Sequence, residues 1–309
     1  MFDYILKRIL LLIPILIGVS MLIFIFLYLI PGDVARMVAG SSASQEVVDS
    51  ISNEMGLNRP LPVQYLDYLT NFLTGDFGHS YQSGSAIINE IPTVFKRTMQ
   101  LTITVQIISF IIGGIMGILS AVWRKSILDR LIMIISVFGL SLPLFWSALL
   151  IQLLFCIYLG WLPPSGYKSG FDIYMILPTL TLVLPNVGML ARVTRSAVID
   201  VMNYDYVRTA KAKGLSNFWV TIKHIVRNAL IPMITITGTN LSRMIGGVIM
   251  IEIIFAWPGM GKYVYDALLA KDFPALQTAT ILISTLVIII NLFVDLSYGL
   301  IDPRIRYDN

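Results

Sequence analysis

The stretch MQLTITVQIISFIIGGIMGILSAVW, Met99–Trp123, runs for 25 residues without a charge. As an α-helix it would be about 37 Å long at 1.5 Å per residue, enough to cross hydrocarbon about 30 Å thick. Runs of the same kind lie on both sides of it. Ile9–Ile30 is charge-free over 22 positions, too long for the core of a cleaved signal, and reads as a retained first helix. Leu131–Tyr167 is uncharged over 37 positions, and the Trp161-Leu162-Pro163-Pro164-Ser165-Gly166 stretch ends its helix near residue 159. Further spans are expected at 173–191, 229–251 and 275–301. With 9–30, 99–123 and 131–159 they make a single all-α membrane domain of six transmembrane helices.

Composition agrees with that reading. Of the 309 residues 56% are apolar and 13% charged, about half the charge density of a soluble domain. The net charge of +4 concerns topology rather than nucleic acid, because the basic residues lie between apolar runs. With the N-terminus in the cytoplasm, fourteen Lys and Arg fall inside and seven outside, so both termini are expected in the cytoplasm. The single cysteine, Cys156, excludes a disulfide framework, and His79 and His224 fall on opposite sides of the membrane, which removes a Ser-His-Asp set. The nearest approach to a phosphate loop, Gly259-Met260-Gly261-Lys262-Tyr263, lacks both the leading glycine and the Ser or Thr after lysine. The chain is therefore not an enzyme by these motifs and is expected to bind no cofactor or metal itself. Energy for uphill movement must come from a partner.

Two loops are long enough to act. Residues 31–97 form an external loop read as two amphipathic helices. The first has Ser42 and Gln45 at capping-box spacing ahead of Val47, Ile51 and Met55; the second starts at Pro62 and turns Tyr65, Leu66, Leu69, Phe72 and Leu73 to one side before Gly75-Asp76-Phe77-Gly78. This loop either packs over the helix ends, docks a partner or rests on the bilayer surface. In the cytoplasmic loop 192–228, Asn203 is placed to cap a short helix over Tyr204–Lys213, Gly214 to end it in the left-handed conformation, and Ser216 to cap the next. Tyr206, Val207 and Ala210 share one face, with Arg208, Lys211 and Lys213 around it. A basic loop of this kind is also drawn to anionic membrane lipid, but the small apolar face beside a glycine stop looks like a plug for another protein's groove.

Within the spans, Arg243 and Asp295 are the ionisable residues, and such residues are functional candidates because they are costly to place in hydrocarbon. They sit about 20 and 10 Å from the cytoplasmic edge at 1.5 Å per residue, so no direct pair is expected. Arg243, with Asn240 and Ser242, is the candidate lining of a polar path. Pro14, Pro143, Pro178, Pro185 and Pro232 are expected to set kinks, and Gly113 and Gly117 a close helix contact.

Asp205-Tyr206-Val207-Arg208-Thr209-Ala210-Lys211-Ala212-Lys213-Gly214-Leu215, followed by Lys223-His224-Ile225-Val226-Arg227-Asn228-Ala229-Leu230-Ile231-Pro232, resembles the cytoplasmic "EAA" loop of ABC importer permeases of the dipeptide, oligopeptide, nickel and glutathione group. Ile30-Pro31-Gly32-Asp33, Gly56-Leu57-Asn58-Arg59-Pro60-Leu61, Gly75-Asp76-Phe77-Gly78, Phe255-Ala256-Trp257-Pro258-Gly259-Met260-Gly261 and Asp302-Pro303-Arg304-Ile305-Arg306 match as well, in the form of the first of the two permeases. Arg208 and Thr209 stand where Glu and Ala are usual, and Arg227 where Pro is. The resemblance implies a multi-pass protein of the bacterial inner membrane that forms half of a translocation path with a sister permease. It also implies two ATPase subunits carrying ATP and Mg, an extracytoplasmic substrate-binding protein, and Tyr204–Leu215 as the coupling helix in the ATPase groove. Di- or oligopeptides are the expected cargo, with glutathione or chelated nickel as alternatives. A contrasting class is an autonomous secondary carrier or channel; a third is a membrane anchor whose basic loop binds lipid.

Overall fold

A computed structural model describes the backbone of residues 2–29, 34–40, 42–54 and 56–301. The matches at Ile30-Pro31-Gly32-Asp33 and Asp302-Pro303-Arg304-Ile305-Arg306, and the side chain of Asp295, lie outside what it describes. Among the described residues the regular structure is helical, apart from an isolated antiparallel bridge between His79 and Ala86. Its helices are α1 (Phe2–Leu29), α2 (Val34–Ala39), α3 (Gln45–Glu54), α4 (Leu61–Thr74), α5 (Ile87–Val122), α6 (Ile127–Ser141), α7 (Leu144–Gln152), α8 (Ile176–Met202), α9 (Asp205–Ala212), α10 (Asn217–Val220), α11 (Arg227–Ile254), α12 (Met260–Ala270) and α13 (Phe273–Ile301). π-turns over Leu153–Tyr158 and Thr221–Val226 extend α7 and join α10 to α11. Two compact units result, one from Met1–Phe95 with Tyr263–Ile288, the other from Lys96–Lys262 with Ile289–Asn309.

Among the described residues, four helical stretches are long and apolar enough to cross a membrane: Ile87–Val122, Ile173–Met202, Asn217–Ile254 and Phe273–Val294. α1 carries the apolar stretch Leu10–Phe26. The expected span at 131–159 is a bent pair instead, since α6 and the helix from Leu144 meet at 105°. Pro143 is the cause. Its ring disfavours helical backbone at the preceding residue, and Leu142 is extended at ψ 131. Pro14, Pro185 and Pro232, by contrast, lie inside continuous helices. Other boundaries move outward. α5 starts at Ile87 rather than Met99, so Lys96 and Arg97 lie inside it, and α8 continues to Met202, past the expected end at Ala191. Charge-free length marks the apolar part of a helix, and backbone hydrogen bonding carries the helix past it.

In the second unit α8 is the hub, packed by α6, α7 and α11. A Cβ on Gly117 would come within 2.5 Å of Thr194 Cβ and 2.6 Å of the Ala191 carbonyl, so α5 reaches α8 only because that position carries no side chain. The main core gathers Leu101, Val105, Leu177, Leu182, Val248, Ile251, Phe255 and Trp257. A second cluster joins Ala121, Val198, Val201, Val207, Ala210, Val220, Ile225 and Ala229. The outward side chains of α5, Ile103, Ile107, Ile111 and Ile115, are as apolar as the core and recur every fourth residue. A helix apolar on all sides needs hydrocarbon or another helix around it.

The first unit holds α1, α3 and α4, and packs Ile87, Ala267, Ala275 and Leu276 with Phe77 and Tyr263. α3 begins at Gln45, and its first backbone bond runs from the Val48 N–H to the Ser44 carbonyl, two residues later than a Ser42 cap requires. α4 begins after Pro60 and stops at Gly75, φ +81. Tyr65, Leu69 and Phe72 turn inward on it, whereas Leu66 and Leu73 are exposed, because the inward stripe is completed by Gln64 and Tyr68. Tyr65 reaches α1, where its ring meets Phe24 edge-on at 5.6 Å and its hydroxyl lies 2.8 Å from Ser20 Oγ.

Candidate functional site

The cytoplasmic loop is built around α9. Tyr204 is extended at ψ 146 and occupies the N-cap position, so the helix runs Asp205–Ala212 and both Tyr204 and Lys213 flank it. Asn203 does not cap it; the residue closes α8, and its side-chain amide donates to the Ile199 carbonyl at 3.1 Å. Gly214 stands at φ +82 with open space around its α-carbon, the left-handed stop expected there. Ser216 precedes α10 in extended backbone, and its carbonyl accepts from the Val220 N–H, but its hydroxyl makes no cap bond.

The apolar face of α9 is not free. Val207 and Ala210 are buried at 1% and 6% exposure, among Val198, Val201, Val220 and Ile225 of the same chain. A groove-filling plug made of those two residues is therefore corrected: they fasten the helix to its own scaffold. The π-turn carrying Lys223 and His224 contributes Ile225 to that cluster, and Asn228 donates to the Tyr206 hydroxyl at 2.8 Å. What the loop leaves outward is Tyr204, Asp205, Tyr206, Arg208, Lys211, Lys213 and Leu215, continued by Phe218 and Trp219. Arg208 and Asp205 lie 3.6 Å apart, both largely exposed. The free surface is cationic and aromatic.

A brace around the buried Asp129 fixes the helices beside the loop. The Asp129 carboxylate accepts from Arg195 Nε at 2.8 Å and Nη2 at 2.9 Å, from Ser120 Oγ at 2.5 Å and from the Lys125 N–H at 2.9 Å. It ties α5, α6 and α8 together close to the loop, and every acceptor position is used. Sequence reading counts Arg195 among loop charges, because nothing local tells a paired arginine from a solvated one.

Asn240, Ser242 and Arg243 do not converge. Asn240 hydrogen-bonds Asn186 of α8, whose own amide donates to the Leu182 carbonyl at 2.6 Å. Ser242 turns the other way and donates to Asn291 of α13 at 2.7 Å. Arg243 is exposed and lines a cavity of about 540 Å³ with Leu140, Met189, Arg192, Val193 and Ser196.

A third locus is centred on Glu252, which no sequence pattern marks. Glu252, at 0% exposure, accepts from Thr98 Oγ1 at 2.5 Å and from the Gly261 and Lys262 N–H groups at 2.6 and 3.4 Å. Those N–H groups belong to the first turn of α12, which has no intrahelical acceptors for them, and a carboxylate is their natural partner. A Cβ on Gly261 would lie 2.5 Å from Ile249 Cα, which is why the turn has glycine there. The Trp257 indole N–H donates to the Arg97 carbonyl at 3.2 Å, and the Arg97 guanidinium sits 4.6 Å over the Tyr167 ring. In the first unit, Glu90, Asp266, Asp272, Ser80 and Tyr263 line a cavity of about 480 Å³. Burial and the neighbouring Glu90 push the Tyr263 phenol well up, so it stays protonated and donates to Glu90 at 2.7 Å.

The sequence that builds this helical bundle matches known proteins over nearly its whole length. Residues 113–307 match the model of the binding-protein-dependent transport system inner membrane component, and residues 1–102 match the N-terminal model of the same membrane component. The chain belongs to this family. As a permease it is 43% identical to the glutathione transport system permease protein GsiC of Salmonella typhimurium and 42% identical to that of Escherichia coli K12. Both matches run over 307 residues, covering 99% of this chain and 100% of the relatives. Among solved structures, the inward-facing MetNI methionine ABC transporter superposes with a TM-score of 0.58 at 18% identity, over 69% of this chain and 96% of that one, which shows a shared fold. The permease is thus an ABC importer subunit of the inner membrane, a transporter component rather than an enzyme.

Proposed function

We propose that this permease forms one half of the translocation path of an ATP-driven importer for glutathione or short peptides, paired with a sister permease. The observation that carries the reading is the full-length similarity to glutathione permeases, joined to an α9 whose apolar residues are used internally and whose outward side is cationic and aromatic. Two cytoplasmic ATPases, holding ATP and Mg, grip Tyr204–Leu215, and an extracytoplasmic binding protein delivers cargo. The chain crosses the membrane six times with both termini in the cytoplasm. α1 and the bent pair α6–α7 each count as one crossing.

Rigidity is what the coupling needs. Closure of the ATPases displaces α9, and since Val207 and Ala210 are locked among α8, α10 and the π-turn, the displacement passes to α8 and α11 rather than dissipating in the loop. The Asp129–Arg195 brace passes it on to α5 and α6.

The test is reconstitution. This permease, its sister, the ATPases and the binding protein in proteoliposomes should accumulate labelled glutathione or a dipeptide only with ATP and loaded binding protein. Ion-gradient-driven flux from the purified chain alone would overturn the proposal.

A further inference from the structure

We infer that Arg192 and Arg243 together form an anion-binding site in the cavity they both line, which takes the carboxylate of the passing cargo or the phosphate of a lipid headgroup. The inference deepens the proposed function and rests on it for the first of those sources.

Both arginines line the same cavity of about 540 Å³, one from α8 and one from α11. Arg192 lies 10 residues before the end of α8 and Arg243 11 before the end of α11, so each is about 15 Å or more from its nearest helix end at 1.5 Å per residue. Arg192 stands here because α8 runs on to Met202; it is a helix residue, not a loop charge. Among the described residues neither guanidinium has a hydrogen bond or an ion pair, and the cavity lining contains no acid.

Arg195, one turn along the same helix, shows the alternative. It is held by two hydrogen bonds to Asp129. An arginine that only stabilised the bundle would be paired in that way, and Arg243, inside the apolar run of α11, is costly to leave uncompensated. Two unpaired cations facing one cavity repel each other, and an anion between them converts the repulsion into two attractions. The planar guanidinium offers forked N–H donors that match a carboxylate or a phosphate. Ser196 adds a hydroxyl, while Leu140, Met189 and Val193 leave the rest of the wall apolar. The site would orient an anionic end without gripping the remainder of the molecule.

The test uses the whole complex in proteoliposomes, with labelled glutathione and its C-terminal glycinamide as probes. The binding protein's affinity for each is measured alone, and uptake is compared with that protein saturated. The wild type should move the acid roughly tenfold faster than the amide, the scale of losing one charge-assisted contact. Arg192→Gln and Arg243→Gln should each remove that preference by slowing the acid, and the double variant should be little worse than either because both act on one anion. Should a Gln variant fail to assemble, Arg243→Lys carries the reading: a point cation keeps assembly but weakens the preference, because the fork is lost. In parallel, native mass spectrometry counts phospholipids retained by each complex. Loss of one phospholipid in the variants with the acid preference intact assigns the same site to a headgroup phosphate. Variants that assemble, keep the wild-type acid-to-amide ratio and retain every lipid overturn the anion site. If the wild-type complex takes up neither probe with ATP, the proposed function fails, and the lipid count still decides whether an anion binds.

Discussion

The turn around Glu252 and the loop around α9 use charge in opposite ways. At the turn a fully buried carboxylate has every donor it needs within the chain, from Thr98, Gly261 and Lys262. On α9 the charged side chains stand outward, and the internal contacts are made by Val207, Ala210 and the Tyr206 hydroxyl. A buried, saturated charge fixes geometry and leaves nothing for a partner. An exposed charge on a helix anchored by apolar contacts fixes little and leaves much. The first region should therefore be brittle toward stability and the second toward assembly.

The largest effect that sharpens this contrast is expected from Glu252→Ala. It strands two N–H groups and a hydroxyl and opens a cavity. Each buried group left without a partner costs about 1–3 kcal/mol, so the loss should reach about 4 kcal/mol or more. Thermal unfolding of the purified permease complex would read it, and a melting temperature unchanged within error would remove Glu252 from its role as an anchor. Next comes Gly214→Val. A β-branched residue at φ +82 should cost about 1–2 kcal/mol. No neighbouring atom resists the side chain, so the strain is confined to the stop. The expected outcome is normal membrane insertion with weakened retention of the ATPases on affinity purification. Full retention and full ATP-coupled uptake would contradict the stop.

Sequence alone makes the apolar helices legible, because hydrocarbon demands long uncharged runs, and it makes the Gly214 stop legible, because few residues tolerate that backbone. The bend at Pro143 is only half visible: proline signals an interruption, but the 105° angle depends on packing against α8. The faces of α9 are misread for a related reason. Periodicity shows that Val207 and Ala210 lie together, and it says nothing about whether the surface they meet belongs to this chain or another. Pairing is hidden most completely. Asp129 and Arg195 are 66 positions apart, Thr98 and Glu252 154, and Arg192 ends a charge-free run in a way that resembles any helix terminus.

The smallest expected effect is also the most discriminating. Asp205 and Arg208 form an i, i+3 pair at 3.6 Å with side chains 96% and 76% exposed, and such pairs contribute about half a kcal/mol or less. If α9 were stabilised by its charges, Arg208→Ala would loosen the helix. With Val207 and Ala210 holding it instead, Arg208→Ala should leave the melting temperature of the complex essentially unmoved. Asp205→Ala should do the same, apart from a small loss at the helix N-terminus, where an acidic residue is favourable. What should change is the salt dependence of ATPase association. Removing an outward cation from a docking surface lowers the steered part of the association rate, and that part shrinks as ionic strength rises. Association rates measured from low to moderate salt should therefore converge for wild type and Arg208→Ala. A variant that lowers the melting temperature while leaving the salt slope unchanged would place the charge in the scaffold and undo the division between the two regions.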